Sequence, residues 1–211
     1  MTAPARQNGP VRIILAAVAV LVTVAGCQSE IVGQAAPTGF VVKDGTQLRF
    51  RPVLTELPPG PPSGSATERQ STDPAAQQAA AQALDCVPGT PDPLGGRDDP
   101  ALPLVSCDRA QGTKYVLGPG FLSGADVSRV DATADPQTGS SIVQLSFTAA
   151  GARKWAEWTG QNIGKQVAMV LKSRVLTAPT VQSAITGGET QITGKFTLPE
   201  ARQLARDIAG G

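Results

Sequence analysis

Three cysteines head the side chains able to do chemistry: Cys27, Cys86 and Cys107. A thiol can pair, hold a soft metal, attack an electrophile or carry a modification. The chain contains no histidine. That removes Ser-His-Asp triads, Cys-His dyads and histidine-bearing zinc sites together. Cys86 and Cys107 lack C-x-x-C spacing, which argues against a redox or metal pair. Asp98-Asp99 puts two carboxylates side by side, but without the regular oxygen spacing of a calcium loop, so it reads as a solvated turn. Ser–Lys and paired-carboxylate chemistry lack a nucleophile motif. The residues therefore point to no enzyme, no cofactor and no metal.

The setting of Cys27 gives it a different role. Residues 1–12 carry Arg6 and Arg12 and no acid, and Ile13 to Ala25 is a 13-residue run, apolar except for Thr23. A basic start and a short apolar core have the form of a secretory signal. A typical spanning helix needs about 20 apolar residues. The run closes on Val24-Ala25-Gly26-Cys27 and resembles a bacterial lipoprotein signal, in which the cysteine is acylated and becomes the first mature residue. The alternative is an uncleaved anchor with an incidental cysteine. Acyl chains gain about 0.8 kcal/mol per buried CH₂. Loss of residues 1–26 removes two arginines and shifts the formal charge from +1 to −1. The lipid, not a basic patch, would hold the protein to the membrane. A near-neutral charge with no Lys/Arg run argues against a nucleic-acid partner.

In an oxidising compartment the two remaining thiols, Cys86 and Cys107, read as a disulfide. The 20 residues between them include five Pro and three Gly and show almost no periodicity. Closing such a loop is worth on the order of 3 kcal/mol in the chain-entropy model.

Further elements follow from period and punctuation. Gln47 to Leu54 alternates and reads as a strand, with Pro52 suggesting an edge or a strand end. The organisation expected is a signal over 1–26, a flexible tether over 27–45, a strand over 46–57, a disordered linker over 58–72 and a folded domain over 73–211. Asp73-Pro74 opens an Ala/Gln-rich helix as N-cap and first helical residue. Thr113 to Leu117 and Asp126 to Ala134 read as strands. Val143, Leu145 and Phe147 alternate with polar residues as a half-buried strand. Ala149 to Ile163 is amphipathic, with Ala152, Trp155, Ala156, Thr159 and Ile163 on the apolar side and Gly164 as terminator. Gln166 to Leu171 is apolar on both faces, as in a central strand, and Val175-Leu176 is its short partner. Thr190 to Phe196 reads as a strand entered through Gly187-Gly188. Thr197 and Glu200 form a capping box for a last helix. Helices segregated over a mostly antiparallel sheet make the fold α+β.

The phrases SAITGGETQITGKFT (Ser183 to Thr197) and LPEARQLARDIAGG (Leu198 to Gly211) resemble the head subdomain of the large periplasmic domain of SecD, an accessory subunit of bacterial protein export. LRFRPVL (Leu48 to Leu54) resembles the strand leading from its base to its head. RDDPALPLVSC (Arg97 to Cys107), with Cys86, resembles a cysteine-linked insertion of actinobacterial SecD. FLSGADV, GARKWAEWTGQNIGKQVAMVL and ITGGETQITG follow in family order. The resemblance covers Gln47 to Gly211. No counterpart is visible of the family's Asp-Leu-Gln-Gly-Gly phrase or of its transmembrane helices.

What the resemblance implies is a head without the proton-driven engine. The expected protein is non-enzymatic, extracytoplasmic and lipid-anchored at the outer face of the cell membrane. It would hold exported polypeptides or associate with the Sec translocon. The candidate binding surface is Trp158, at the flank of the helical apolar face, with the turn Ile185, Thr186, Gly187 and Gly188. A competing expectation is an envelope lipoprotein that takes a lipid or small apolar ligand in a helix–sheet cleft.

Overall fold

Alternation along Leu48 to Phe50 puts a strand at the centre of the larger of two sheets. The computed structural model describes residues 39–42, 47–65 and 68–210. Cys27, the expected signal and most of the expected tether lie outside the described residues. The elements are β1 (Phe40–Val41), β2 (Leu48–Leu57), α1 (Pro74–Ala83), β3 (Leu104–Cys107), β4 (Lys114–Leu117), β5 (Leu122–Ser123), β6 (Val127–Ala134), β7 (Ser141–Phe147), α2 (Ala149–Gln161), β8 (Val167–Leu171), β9 (Arg174–Thr177), β10 (Glu189–Ile192) and α3 (Leu198–Ile208). One sheet runs β1-β6-β7-β10; the other runs β3-β4-β2-β8-β9, with β5 also on β2. All strand pairs are antiparallel. The architecture is α+β.

The main core lies where both sheets meet α2 and α3. Phe50 of β2, Leu145 of β7, Trp155 of α2, Met169 of β8, Ile192 of β10 and Leu204 of α3 share it. The other face of the large sheet buries Leu104, Tyr115, Leu117, Ala168, Val170 and Val175. This explains the unbroken apolar run of β8: Val167, Met169 and Leu171 face one cluster, Ala168 and Val170 the other. β3 is likewise buried at all four positions, because Leu104 enters the second cluster while Val105 packs under Ala80 and Ala81 of α1.

Local chemistry sets the helix starts. The Asp73 side chain accepts from the Ala75 N–H, with Pro74 in the first turn. The Thr148 side chain accepts from the Gly151 N–H. Thr197 and Glu200 form the reciprocal capping box. At Gly151 a side chain would overlap the backbone of Asp126, so glycine allows α2 to sit against the start of β6.

Several sequence expectations need correction. Pro52 is not at an edge: β2 has β8 on one side and β5, then β4, on the other. The proline is tolerated because it falls where β5 gives way to β4. There its carbonyl accepts from the Gly118 N–H at 2.9 Å, while its missing donor faces the gap. β2 is thus part of the same sheet as the downstream strands rather than a separate segment. Residues 40–41, expected in the tether, pair with β6. The segment 58–72, expected as a disordered linker, is tied down at several points. The Ser63 N–H donates to the Gln82 carbonyl at 2.8 Å. Arg69 makes a bidentate pair with Asp92, both contacts at 2.9 Å. The disulfide loop, expected without structure, contains β3. Ile163 is 58% exposed, since α2 ends at Gln161 with Asn162 as its cap and the helical phase stops before that residue. The strand expected over 190–196 ends at Ile192.

Asp126 joins the start of β6 to α2. Burial pushes its carboxyl up. The hydrogen bond from Lys154 Nζ (2.8 Å), the Ser123 N–H (3.0 Å), the Lys154 charge and the Ser123 hydroxyl outweigh that and hold it below the ordinary 3.8. A carboxylate with a depressed folded pKa contributes stability that is complete above its unfolded value. That contribution is lost as pH falls through the folded value. In urea titrations, the stability advantage of wild type over Asp126→Asn is expected to be constant near neutrality and to shrink below about pH 4. An advantage that grows on acidification would contradict this assignment.

Candidate functional site

The turn Ile185-Thr186-Gly187-Gly188 is anchored to α2 through Thr159. The Thr159 hydroxyl is fully buried, donates to the Trp155 carbonyl at 2.8 Å and accepts the Ile185 N–H at 3.0 Å. Gly188 takes a φ of +73° and its carbonyl accepts from the Phe147 N–H at 2.9 Å. That left-handed residue aims the chain into β10, where only glycine is unstrained. Thr186 and Gly187 are exposed, while Ile185 is half-buried against the main core.

Trp158 belongs to a different arrangement. It is half-buried and stacks on Phe121 with ring centroids 4.5 Å apart and planes 10° from parallel. Phe121 in turn stacks over Trp155 at 6.2 Å. The structure therefore places Trp158 at the edge of an aromatic column, where such pairs add stability beyond their buried area. Like Ile185 it packs against the main core, but of the two only Ile185 lines the cleft beside the turn.

A cleft of ≈ 260 Å³ lies beside the turn, lined by Trp155, Val167, Val181, Ile185, Thr190 and Gln191 among others. Its walls combine apolar side chains with Thr190 and Gln191 of β10, the outer strand of its sheet. Trp155 is 1% exposed, and its indole N–H has no acceptor among the described residues. A buried donor left unpaired costs free energy comparable to a lost hydrogen bond. The cleft thus offers an apolar ligand a wall and a strand edge, while the Trp155 N–H lies buried behind that wall. Sequence periodicity marked Trp155 as core; the unpaired N–H carries no sequence signal.

A polar network behind the large sheet also escaped the sequence reading. Arg51 on β2 is fully buried. It donates to Asp98 Oδ2 (2.8 Å) and to the carbonyls of Leu102 (2.7 Å), Gly118 (3.0 Å) and Asp99 (3.1 Å). Burial pulls its pKa below the ordinary arginine range, and Asp98 opposes that shift. The other oxygen of Asp98 accepts the Ser173 hydroxyl at 2.5 Å, and that hydroxyl accepts the Gly96 N–H at 2.9 Å. Asp98 is therefore a buried ion-pair partner, not part of a solvated turn. Asp99 keeps the turn role, accepting the Ala101 N–H at 2.9 Å. Cys86 and Cys107 are bonded to each other, with Cα atoms 5.5 Å apart. No group of three or more potential metal ligands occurs among the described residues. No helix among them is long and apolar enough to cross a membrane.

The family pattern described as SecDF, P1 head subdomain, matches residues 103–211. The chain belongs to the SecDF P1 head subdomain family. It is 40% identical over 146 residues to protein translocase subunit SecD of Mycobacterium tuberculosis, covering 68% of this chain and 26% of that protein. It is 46% identical over 115 residues to protein translocase subunit SecDF of Thermus thermophilus, covering 54% and 16%. A crystal structure of SecDF in a super-membrane-facing form matches 78% of this chain and 18% of its own, at 30% identity and a TM-score of 0.46. This chain spans about a quarter of the length of the SecD relative it matches. The head-subdomain match includes β3 through α3, the turn and the cleft, but begins after Arg51, Cys86 and Asp98. In this member of the family the head is therefore tied to β2 by residues outside the matched segment.

Replacing Asp98 with Ala would leave the Arg51 guanidinium buried without its counter-charge. Chemical denaturation is expected to show a loss of about 3–5 kcal/mol. The Arg51→Met/Asp98→Leu double variant is expected to recover most of that loss, since removing both charges removes both desolvation costs. Equal damage from the single and double changes would refute the pairing.

Proposed function

We propose that this chain is a non-enzymatic, extracytoplasmic binding module that holds segments of exported polypeptides, or associates with the Sec translocon, while acylated Cys27 keeps it at the outer face of the cell membrane. The observation that carries the reading is the cleft beside β10, in a domain of the SecDF head family. An extended peptide laid along a sheet edge gains main-chain hydrogen bonds, and flanking pockets select its side chains. β10 supplies the edge with its main-chain groups, and Ile185 and Val181 supply apolar wall. Unfolded chains entering the exterior present these partners: exposed carbonyls and apolar side chains.

The test is photocrosslinking in cells from a reactive residue at Gln191, inside the cleft, against a control at Arg153 on the exposed face of α2. Exported polypeptides or Sec components are expected at position 191 and not at 153. In the same cells, Cys27→Ala is expected to move the protein out of the membrane fraction. Equal crosslinking at both positions, or none, would remove the support for this reading.

A second reading is favoured by the same cleft: retention of a lipid or small apolar ligand. At ≈ 260 Å³ the space is near the lower limit of small-molecule sites. Native mass spectrometry of protein released from detergent should then show a retained mass that Val181→Trp abolishes. A bare protein mass in both would count against it.

A further inference from the structure

Arg174, the first residue of β9, is 7% exposed and has no carboxylate within ion-pair distance among the described residues. Its guanidinium reaches only two backbone carbonyls, Asp108 at 3.5 Å and Val87 at 3.4 Å, and its Nε has no partner. Both contacts exceed the usual 2.7–3.2 Å of an N–H···O bond. A cation so deeply buried is ordinarily paired. Arg51 and Arg69 follow that rule, with Asp98 and Asp92 as partners. Arg174 does not. The Asp108 carboxylate is turned to its own loop, where Oδ1 accepts from the N–H groups of Ala110 and Gln111, and it makes no ion pair with Arg174.

Arg174 lines a cavity of ≈ 210 Å³ together with Arg109, Lys172, Asp207 and the apolar surfaces of Pro91 and Leu176. Arg109 and Lys172 are exposed and form no ion pair among the described residues. The fold brings the three cations together. The Arg109 N–H donates to the Val175 carbonyl at 2.9 Å, which fixes it beside β9. Lys172 sits in the β8–β9 turn with a φ of 49°, two residues before Arg174. The carbonyls that hold Arg174 belong to the residues immediately after Cys86 and Cys107, so the disulfide joins the two segments that meet at Arg174. Asp92 on the wall is neutralised by Arg69. Asp207, which accepts from Gln203, is the remaining acid of the lining. Glu200 lies close enough to Arg109 for the two charges to interact. Three cations set against Asp207 and Glu200 leave one net positive charge, which over a partly apolar wall suits a monoanion with an apolar body.

We propose that this cavity is a carboxylate-binding site, in which Arg174 holds a monocarboxylate by charge-assisted hydrogen bonds while Arg109 and Lys172 attract it at the rim. Planar guanidinium and planar carboxylate match geometrically, and Pro91 and Leu176 receive the ligand's apolar part. A free short-chain acid and the C-terminus of a polypeptide present the same chemistry. The site is separate from the β10 cleft and stands whether or not that cleft binds polypeptide.

Calorimetric titration of the full chain in detergent, at constant ionic strength, tests the proposal. The probes are isovalerate, N-acetyl-leucine, N-acetyl-leucine amide and inorganic phosphate. Saturable binding is expected for a carboxylate and not for the amide. Isovalerate alone would indicate a free acid, and N-acetyl-leucine binding as tightly would indicate a chain terminus. Arg174→Gln is expected to weaken binding by at least about thirtyfold, the low end for truncating a buried charge partner. Should that variant fail to fold, Arg109→Ser/Lys172→Asn changes only exposed rim residues and is expected to weaken binding several-fold. No saturable carboxylate binding, equal binding of the amide, tighter binding of phosphate, or unchanged affinity in the rim variant would each overturn the proposal.

Discussion

The burial of Arg51 constrains much of what surrounds it. A guanidinium taken out of water in the centre of a sheet is costly unless its donors are met. Four of its contacts are supplied by chain far away in sequence: Asp98, Asp99, Leu102 and Gly118. To satisfy it, the proline-rich insertion must fold back on the sheet and the end of β4 must close over β2. Asp98 then orders the next layer. Its second oxygen holds Ser173, and the Ser173 carbonyl accepts the Ser106 hydroxyl at 2.6 Å. The β8–β9 turn carries two non-glycine residues at positive φ, Lys172 and Ser173. Such a turn matches the twist of a two-residue hairpin but is strained for ordinary side chains. The bonds to Ser173 offset that strain.

The disulfide and this network act on the same segment from two ends. Cys86–Cys107 closes the loop, and Arg51, Arg69 and Gln70 attach its interior to the rest of the domain. Gln70 exchanges hydrogen bonds with the Asp99 backbone in both directions, at 2.9 and 3.0 Å, much as a neighbouring strand would. A segment too poor in apolar residues to hold itself by packing is thus held by polar contacts and one covalent link. Beneath it lies Arg174, the buried arginine that this scheme leaves without a carboxylate.

Much of the fold was legible in the chain. Asp73-Pro74 and the Thr197–Glu200 box start two of the helices as their side-chain chemistry dictates, because capping is settled within a few residues. The alternation of Val143, Leu145 and Phe147, and the doubly apolar run of β8, predicted one-sided and two-sided burial correctly. Less was legible where the answer depended on partners distant in sequence. Pro52 looked like an edge residue, since nothing local shows that its missing donor faces a gap between two other strands. β3 looked like loop because a four-residue strand buried on both faces has no period to read.

The sequence by itself determined the α+β class, the helix starts at Asp73-Pro74 and Thr197, the core face of β7 and the family of the domain. Those properties arise from contacts within a few residues or from patterns repeated along one element. The tertiary structure alone decided that Asp98 is an ion-pair partner, that Trp158 stacks on Phe121 while Ile185 lines a cleft, that Trp155 keeps a buried unpaired donor, and that Arg174 is buried without a counter-charge. Each of these concerns the pairing of polar groups brought together from well-separated parts of the chain. Sequence reports that such a group exists, but burial and partner are fixed only when the sheets close.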